Sequence, residues 1–272
     1  MSLSDKELAI KAALSAGEII KSYSGKREKL HVELKGRHDL VTQADVESEK
    51  AIISVISAHR PEDAFFGEET SEGKPLGPER TWIVDPIDGT TNFTHGFPVF
   101  CVSIGLYENH QPILGLVYEV NSGELFFAEK GKGAFLNDKP ISVSTVEKPE
   151  NALLGTGFPY RDLSLVDDYL ELFKVFMRET HGVRRPGSAS YDLACVAAGR
   201  LDGFYEYGLA PWDVAGGACI IQEAGGVVYD WSGGGNWLEG RRIVAGNKPI
   251  CSYVLGRVQE IMKVDQLIKR TT

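Results

Sequence analysis

Carboxylates are the residues of this chain whose spacing points to chemistry, and two of them share one run: Trp82-Ile-Val-Asp85-Pro86-Ile87-Asp88-Gly89-Thr90-Thr91-Asn92. An apolar stretch delivers Asp85 to the edge of a sheet. Pro86 fixes φ and removes a backbone donor, and Gly89 permits a tight turn, so Asp85 and Asp88 can converge. Hard divalent cations such as Mg²⁺ take oxygen ligands and keep several waters, which suits two nearby carboxylates and a backbone carbonyl such as that of Ile87. Gly89 and Thr90 bring N–H groups to a helix start, where a phosphate would accept hydrogen bonds. Taken alone, Asp88-Gly89 is only a turn with Asp88 capping a helix. Two further acidic features shift that balance: Gly67-Glu68-Glu69 ahead of a loop, and Trp212-Asp213-Val-Ala-Gly-Gly217 at a predicted helix start. If Glu68, Asp85, Asp88 and Asp213 meet in space, their repulsion is severe unless cations occupy the site.

The elements that must position these residues alternate along the chain. Apolar residues at helical spacing predict an amphipathic helix over 5–23, closed by Ser24-Gly25, and a second one opening at Asp45 with Ile52, Val55 and Ile56 on one face. A polar strand-like stretch around Leu30–Leu34 separates them, and a loop over 73–78 precedes the strand Thr81–Asp85. Strands are expected over 99–107, 113–120 and 124–129, then a turn at Asn137–Pro140. Beyond 145–151, the expected junction between halves, helices are predicted over 163–178, 190–198 and 214–223, and strands over 202–207, 227–229 and 243–245. Such alternation without a repeat period predicts a layered α/β arrangement on mixed sheets. Ser232–Asn236 lacks the Lys-Ser/Thr of a phosphate loop and reads as a turn.

The 272 residues allow one large domain or two packed halves sharing a site; the expectation is an N-terminal α+β half, 1–148, carrying most metal ligands, and a C-terminal α/β half, 149–272, carrying Asp213 and substrate-side residues. With 29 Lys+Arg against 38 Asp+Glu the formal charge is −9, which disfavours a nucleic-acid partner. The basic groups Lys26, Arg27, Lys29 and Arg184-Arg185 read as solvated surface. No run approaches the ~20 apolar residues of a membrane span and no signal peptide is visible, so no membrane partner is expected. Cys101, Cys195, Cys219 and Cys251 are widely spaced in apolar stretches, the pattern of reduced core residues in a cytoplasmic protein, with two disulfides as the alternative.

Four motifs in order, Asp39-Leu-Val-Thr42-Gln-Ala-Asp45, Gly67-Glu-Glu69, Trp82–Asn92 and Trp212-Asp-Val-Ala-Gly216, make the chain resemble the inositol monophosphatase family over most of its length. The resemblance implies a Mg²⁺-dependent, lithium-sensitive phosphatase with a layered α-β-α-β-α fold of the inositol monophosphatase and fructose-1,6-bisphosphatase type, usually a homodimer. It implies that Glu68, Asp85 and the Ile87 carbonyl hold one Mg²⁺, that Asp85, Asp88 and Asp213 hold a second with Asp85 bridging, and that a third sits near Glu68 largely through water. Catalysis falls by the same resemblance to Glu68 and to Thr90, hydrogen-bonded to Asp45, on the nucleophilic water. Asp88 and the Gly89 and Thr90 amides face the phosphate, and Ser188, Ala189 and Glu206 lie near the alcohol. Lys35 looks like the family's lysine ahead of the Asp-x-Val-Thr motif, with a solvated lysine as the competing reading. For Ser188 a helix cap, and for Glu206 a solvated strand residue, compete as well; Asp192 is placed near the same region without a role.

Phosphate monoesters hydrolyse so slowly unaided that enzymes accelerate them by up to about 10²¹-fold, beyond the reach of a single general base. Cations can activate water, neutralise phosphoryl oxygens and stabilise the departing alkoxide, so direct in-line attack by water is expected on a small phosphomonoester, with myo-inositol monophosphate as the leading substrate. Fructose-1,6-bisphosphate, 3′-phosphoadenosine 5′-phosphate, NADP and histidinol phosphate are the alternatives on the same metal core. No Ser-His-Asp or Cys-His nucleophile motif is present, and the six histidines are scattered singly. A reading from another class is a non-catalytic regulatory protein whose carboxylates hold a structural cation.

Overall fold

The computed structural model describes residues 3–24, 32–36, 39–71, 75–158, 160 and 163–263. From the N-terminus run α1 (Asp5–Tyr23), a hairpin of β1 (Val32–Gly36) and β2 (Asp39–Thr42), α2 (Gln43–Ser57), β3 (Ala64–Gly67), β4 (Thr81–Asp88) and the short α3 (Thr90–His95). A meander follows: β5 (Cys101–Glu108), β6 (Gln111–Glu119), β7 (Glu124–Glu129), β8 (Ala134–Leu136) and β9 (Lys139–Ile141). The remainder is β10 (Leu153–Thr156), α4 (Val166–Glu179), β11 (Gly182–Arg184), α5 (Ala189–Ala197), β12 (Gly203–Tyr207), α6 (Pro211–Glu223), β13 (Val227–Tyr229), β14 (Arg242–Gly246) and α7 (Lys248–Ile261).

Two larger sheets organise these elements. One has the order β3-β4-β5-β6-β7-β8-β9, antiparallel except for β3 beside β4; the other has the order β11-β10-β12-β14-β13, parallel across β11, β10 and β12 and antiparallel beyond. Period-2 alternation splits each strand between two cores. Trp82 and Val84 of β4 join Val102, Ile104 and Leu116 against Ala12 and Ala16 of α1 and Ile52 and Ile56 of α2. Ile83, Val117 and Phe126 point the other way, onto Leu193 and Val196 of α5 and Ile220 of α6, which also cover Phe204, Ile243 and Ala245 of the smaller sheet. The far side of that sheet packs Leu154, Tyr205 and Val244 against Tyr169 and Phe176 of α4 and Val254 and Val258 of α7. The result is the expected α-β-α-β-α sandwich, and each fully buried Ile, Val or Phe in it contributes about 1.5–3 kcal/mol.

The middle helix layer sits close because its contact residues are small. A side chain on Gly115 of β6 would run into the Gly216 carbonyl of α6, and a Cβ on Gly216 would lie 2.8 Å from the Leu116 carbonyl. Tyr107 Oη donates to the Ala215 carbonyl at 2.9 Å, fixing the start of α6 against β5.

The first helix has the predicted bounds because Ser4 and Glu7 close a capping box, with Ser4 N–H donating to Glu7 Oε2 at 2.8 Å. β4 departs from expectation: it continues through Pro86 to Asp88 rather than stopping at Asp85. Pro86 is tolerated because the ladder to β5 is irregular there. Asn137 and Asp138, with φ of 47° and 62°, make the expected turn, now seen as the tip of the hairpin between β8 and β9. The helix expected at 163 begins at Val166. β2, β3, β8, β9, β10, β11 and α7 have no counterpart in the sequence reading. All four cysteines are free and buried, as expected. The basic group at 26–29 lies outside the described residues, and no described helix is long and apolar enough to cross a membrane.

Candidate metal centre and active site

A strand presents every second residue to one face, so Asp85 and Asp88, three apart, should point oppositely. The register prevents this. Asp85 pairs with Ser103 and Asp88 with Cys101, so three steps on β4 oppose two on β5 and one residue is extra. That bulge returns both carboxylates to the same side. Asp85 Oδ1 accepts from Ile87 N at 3.0 Å across the Pro86 turn, which orients it further. Gly89 then takes φ +100°, the left-handed region open to glycine, and starts α3.

Asp213 arrives from the middle helix layer. It is the third residue of α6, and its Oδ2 accepts from Ala210 N at 2.6 Å, capping the helix. One carboxylate oxygen each from Asp85, Asp88 and Asp213 lies within 4.8 Å of the others. Glu68, half-buried after β3 with its N–H on the Val84 carbonyl at 3.2 Å, stands outside this tight set, yet its charge reaches Asp85. Burial, then Glu68, Asp88, Asp213 and Asp45, holds Asp85 well above the usual carboxylate range. Burial and Asp213 push Asp88 up to about 7 against the opposing pull of Ser190 and Ser188. Crowded carboxylates at this depth need positive charge, and an all-oxygen donor set fits a small hard dication.

Asp45 takes the same place in α2 that Asp213 takes in α6. Its Oδ2 accepts from Thr42 N at 2.8 Å and Thr42 Oγ1 at 2.6 Å, and its Oδ1 lies 3.1 Å from Thr90 Oγ1. Burial raises Asp45 to about 6, with the Thr42 hydrogen bonds opposing and Glu69 adding to the rise. Thr90 Oγ1 is also 3.0 Å from the Ile87 carbonyl, so the hydroxyl joins Asp45 to the carboxylate turn.

On the far side, Ser188 is not spent on its helix: it makes no side-chain cap and donates to Asp88 Oδ2 at 2.9 Å, while Ser190 N donates to the same oxygen at 2.6 Å. Ala189 is buried between them. Glu206 is 9% exposed on β12, so the solvated reading fails; burial and Asp213 push it up to about 8 despite Arg185. Arg184 and Arg185 are exposed, as expected, and the Arg185 guanidinium lies over the Phe158 and Tyr160 rings. Lys35 falls in β1, but its side chain lies outside the described residues. His95 is exposed at the end of α3.

The sequence reading missed Ser190 and Asn92. Asn92 Nδ2 donates to the Val99 and Pro186 carbonyls at 2.8 and 2.9 Å, and so pins the approach to α5 beside the carboxylates. Its place inside the Trp82–Asn92 motif was the available signal. Ser190 carried none, since its contribution is chiefly a backbone N–H.

Residues 4–263 match the model of the inositol monophosphatase family. The chain belongs to that family. The expected class, a phosphoric monoester hydrolase of the inositol-1-monophosphatase type, stands with it. Among its relatives, the Nus factor SuhB of Pseudomonas aeruginosa is 42% identical over 256 residues, covering 93% of this chain and 94% of that one. The inositol-1-monophosphatase of Rhizobium meliloti is 43% identical over 250 residues, 92% of this chain and 94% of that protein. In structure, the extragenic suppressor protein suhB of Bartonella henselae superposes with a TM-score of 0.88 at 40% identity, covering 93% of this chain and 98% of that one.

Proposed function

We propose that this family member hydrolyses a small phosphomonoester with divalent cations, and that its substrate is myo-inositol monophosphate, giving myo-inositol and phosphate. The observation that carries the reading is the junction of two devices on one turn: the Asp85, Asp88 and Asp213 oxygens within 4.8 Å of one another, and the Thr90 hydroxyl 3.1 Å from Asp45. Asp85, Asp88 and Asp213, with Glu68 and the Ile87 carbonyl, would hold two or three Mg²⁺ ions. Bound cations supply Lewis acidity toward water and phosphoryl oxygen.

The protein's own groups do the rest. Thr90 has one proton and two acceptors, Asp45 Oδ1 and the Ile87 carbonyl, so directing that proton inward leaves oxygen lone pairs to accept from the attacking water. Thr42 holds Asp45 in the orientation this needs. The Gly89 and Thr90 amides would receive a phosphoryl oxygen, and Ser188, by donating to Asp88, fixes that carboxylate's direction. Ser188, Ala189 and Glu206 would line the alcohol side. Inhibition by Li⁺ and assembly as a homodimer belong to the same proposal and rest on the family resemblance.

The test is phosphate release from a panel of small esters with and without Mg²⁺ and with added Li⁺, for the wild type and Asp88→Asn. Mg²⁺-dependent release that Asp88→Asn nearly abolishes, with the thermal melt preserved, is the expected result. Retained turnover in the variant would move the active site elsewhere. Equal loss of folding and activity would favour the other class of reading, a regulatory protein with a structural cation. Faster release from fructose-1,6-bisphosphate, 3′-phosphoadenosine 5′-phosphate, NADP or histidinol phosphate would change the substrate while leaving the reaction.

A further inference from the structure

A second group of acids lies outside the cation cage. Asp192 sits on α5 one turn beyond Ser188, to whose carbonyl its N–H donates at 3.0 Å, and it is 1% exposed. Its Oδ1 is fully buried and meets no hydrogen-bond partner. Glu206 is the acid that bears on it most strongly, followed by Asp88. A glycine lies beside each acid, with Leu201 and Phe204 also against Gly155. Gly155 and Gly157 are two residues apart on β10 and its continuation, the spacing that keeps to one face of a strand. A side chain on Gly157 would run into the Glu206 carboxylate, and a Cβ on Gly155 would lie 3.8 Å from Asp192 Cβ. Arg185 is the cation that acts on both acids, its guanidinium 5.2 Å from the Tyr160 ring and 5.8 Å from that of Phe158.

Among the described residues Arg185 is the one cation that acts on both buried acids, which leaves them short of hydrogen-bond donors. An acceptor oxygen buried without a donor is costly, and a ligand that brings the donor recovers that cost. A second phosphate or carboxylate brings acceptors and further negative charge into a region of low dielectric, where like charges repel strongly.

We propose that Asp192 is a specificity-determining residue: with Glu206 it makes the alcohol end of the cleft a carboxyl-lined notch that favours alcohols bearing hydroxyl or ammonium donors and disfavours alcohols carrying a second anionic group. This deepens the phosphatase reading and rests on it. Asp192 is tied to the cage through Ser188, which bonds Asp88 on one side and begins the helix turn of Asp192 on the other.

The experiment compares kcat/KM of wild type and Asp192→Asn, with Mg²⁺, on four esters: myo-inositol 1-phosphate, histidinol phosphate, fructose 1,6-bisphosphate and 4-nitrophenyl phosphate. The wild type should prefer at least one donor-bearing ester over the bisphosphate by about tenfold or more, and Asp192→Asn should narrow that preference about tenfold while changing 4-nitrophenyl phosphate by less than about twofold. The faster of the inositol and histidinol esters identifies the donor as hydroxyl or ammonium. A ratio unchanged in the variant, or a fall shared equally by all four esters, overturns the proposal and leaves Asp192 a structural residue. A wild type that takes the bisphosphate as readily as the donor-bearing esters overturns it even if Asp192→Asn does not fold. Release from 4-nitrophenyl phosphate separates the two levels: present without discrimination, it removes only the role of Asp192; absent along with release from every other ester, it removes the phosphatase reading as well.

Discussion

The starts of α2 and α6 use one device for two ends. Each places an aspartate at the third helical position and turns its Oδ2 back onto the N–H of the capping residue, Thr42 for Asp45 and Ala210 for Asp213. The capping residue makes the difference. Thr42 adds its hydroxyl to Asp45 Oδ2 at 2.6 Å, and Thr90 faces the other oxygen, so Asp45 is enclosed at 1% exposure. Ala210 has no hydroxyl to give, and Asp213, only half-buried, contributes an oxygen to the set shared with Asp85 and Asp88. A helix cap therefore serves as an orienting group where its neighbours close it and as a cation ligand where they leave it open to the cleft.

That contrast is sharpest in paired variants. Asp213→Asn should lower kcat/KM by roughly a thousandfold or more and raise the Mg²⁺ concentration needed for half-maximal release, since charge is removed from the cage itself. Asp45→Asn should lower kcat by roughly a hundredfold with the Mg²⁺ requirement unmoved. Steady-state phosphate release at varied Mg²⁺ separates the two, and the same Mg²⁺ shift in both variants would erase the distinction. Next in size is an effect of pH on the metal-free protein. Asp45, Asp88 and Glu206 are raised to about 6, 7 and 8, above the ~4 of unfolded carboxylates. Raised carboxyl groups favour the fold while protonated, so their contribution is complete below about pH 4 and is lost as pH climbs through about 6 to 8. Thermal melts in chelator should show Tm falling from about pH 5 to about pH 8.5, with added Mg²⁺ restoring it at the upper end. A Tm that rises over that interval, or ignores Mg²⁺, would contradict an uncompensated cage. Smallest is Thr42→Val, which removes the hydroxyl that closes Asp45. It should cost about 1 kcal/mol in urea unfolding, and no equivalent loss is available at Ala210.

Much of this arrangement is legible in the sequence, for local reasons. Ser4 with Glu7 fixes where α1 begins, and the bounds of β7 and β13 follow from β-branched and aromatic residues between turn formers. The acidic run Asp85 to Asp88 announces its chemistry through residue types alone. How those two side chains come to face one way does not show: it depends on pairing with Ser103 and Cys101, a tertiary fact with no mark in the run itself. α7 carries readable signals, Asn247 as cap, Pro249 in the first turn and Ile250, Val254 and Val258 at helical spacing, that the alternating pattern upstream obscured. β11 has three residues and is set by its parallel pairing with β10, which no local pattern encodes. The unpartnered oxygen of Asp192 is equally a product of packing, since a lone aspartate on a helix reads as a solvated charge until its surroundings are known.

The central claim is that folding brings Asp85, Asp88 and Asp213 together as a cage for divalent cations. Crystals of the full chain grown with Mn²⁺, measured for anomalous scattering at the manganese edge, test it most directly. The account predicts a strong anomalous peak bounded by those three carboxylates. Well-ordered crystals with no peak there, from protein that still releases phosphate in the same Mn²⁺ solution, would contradict it.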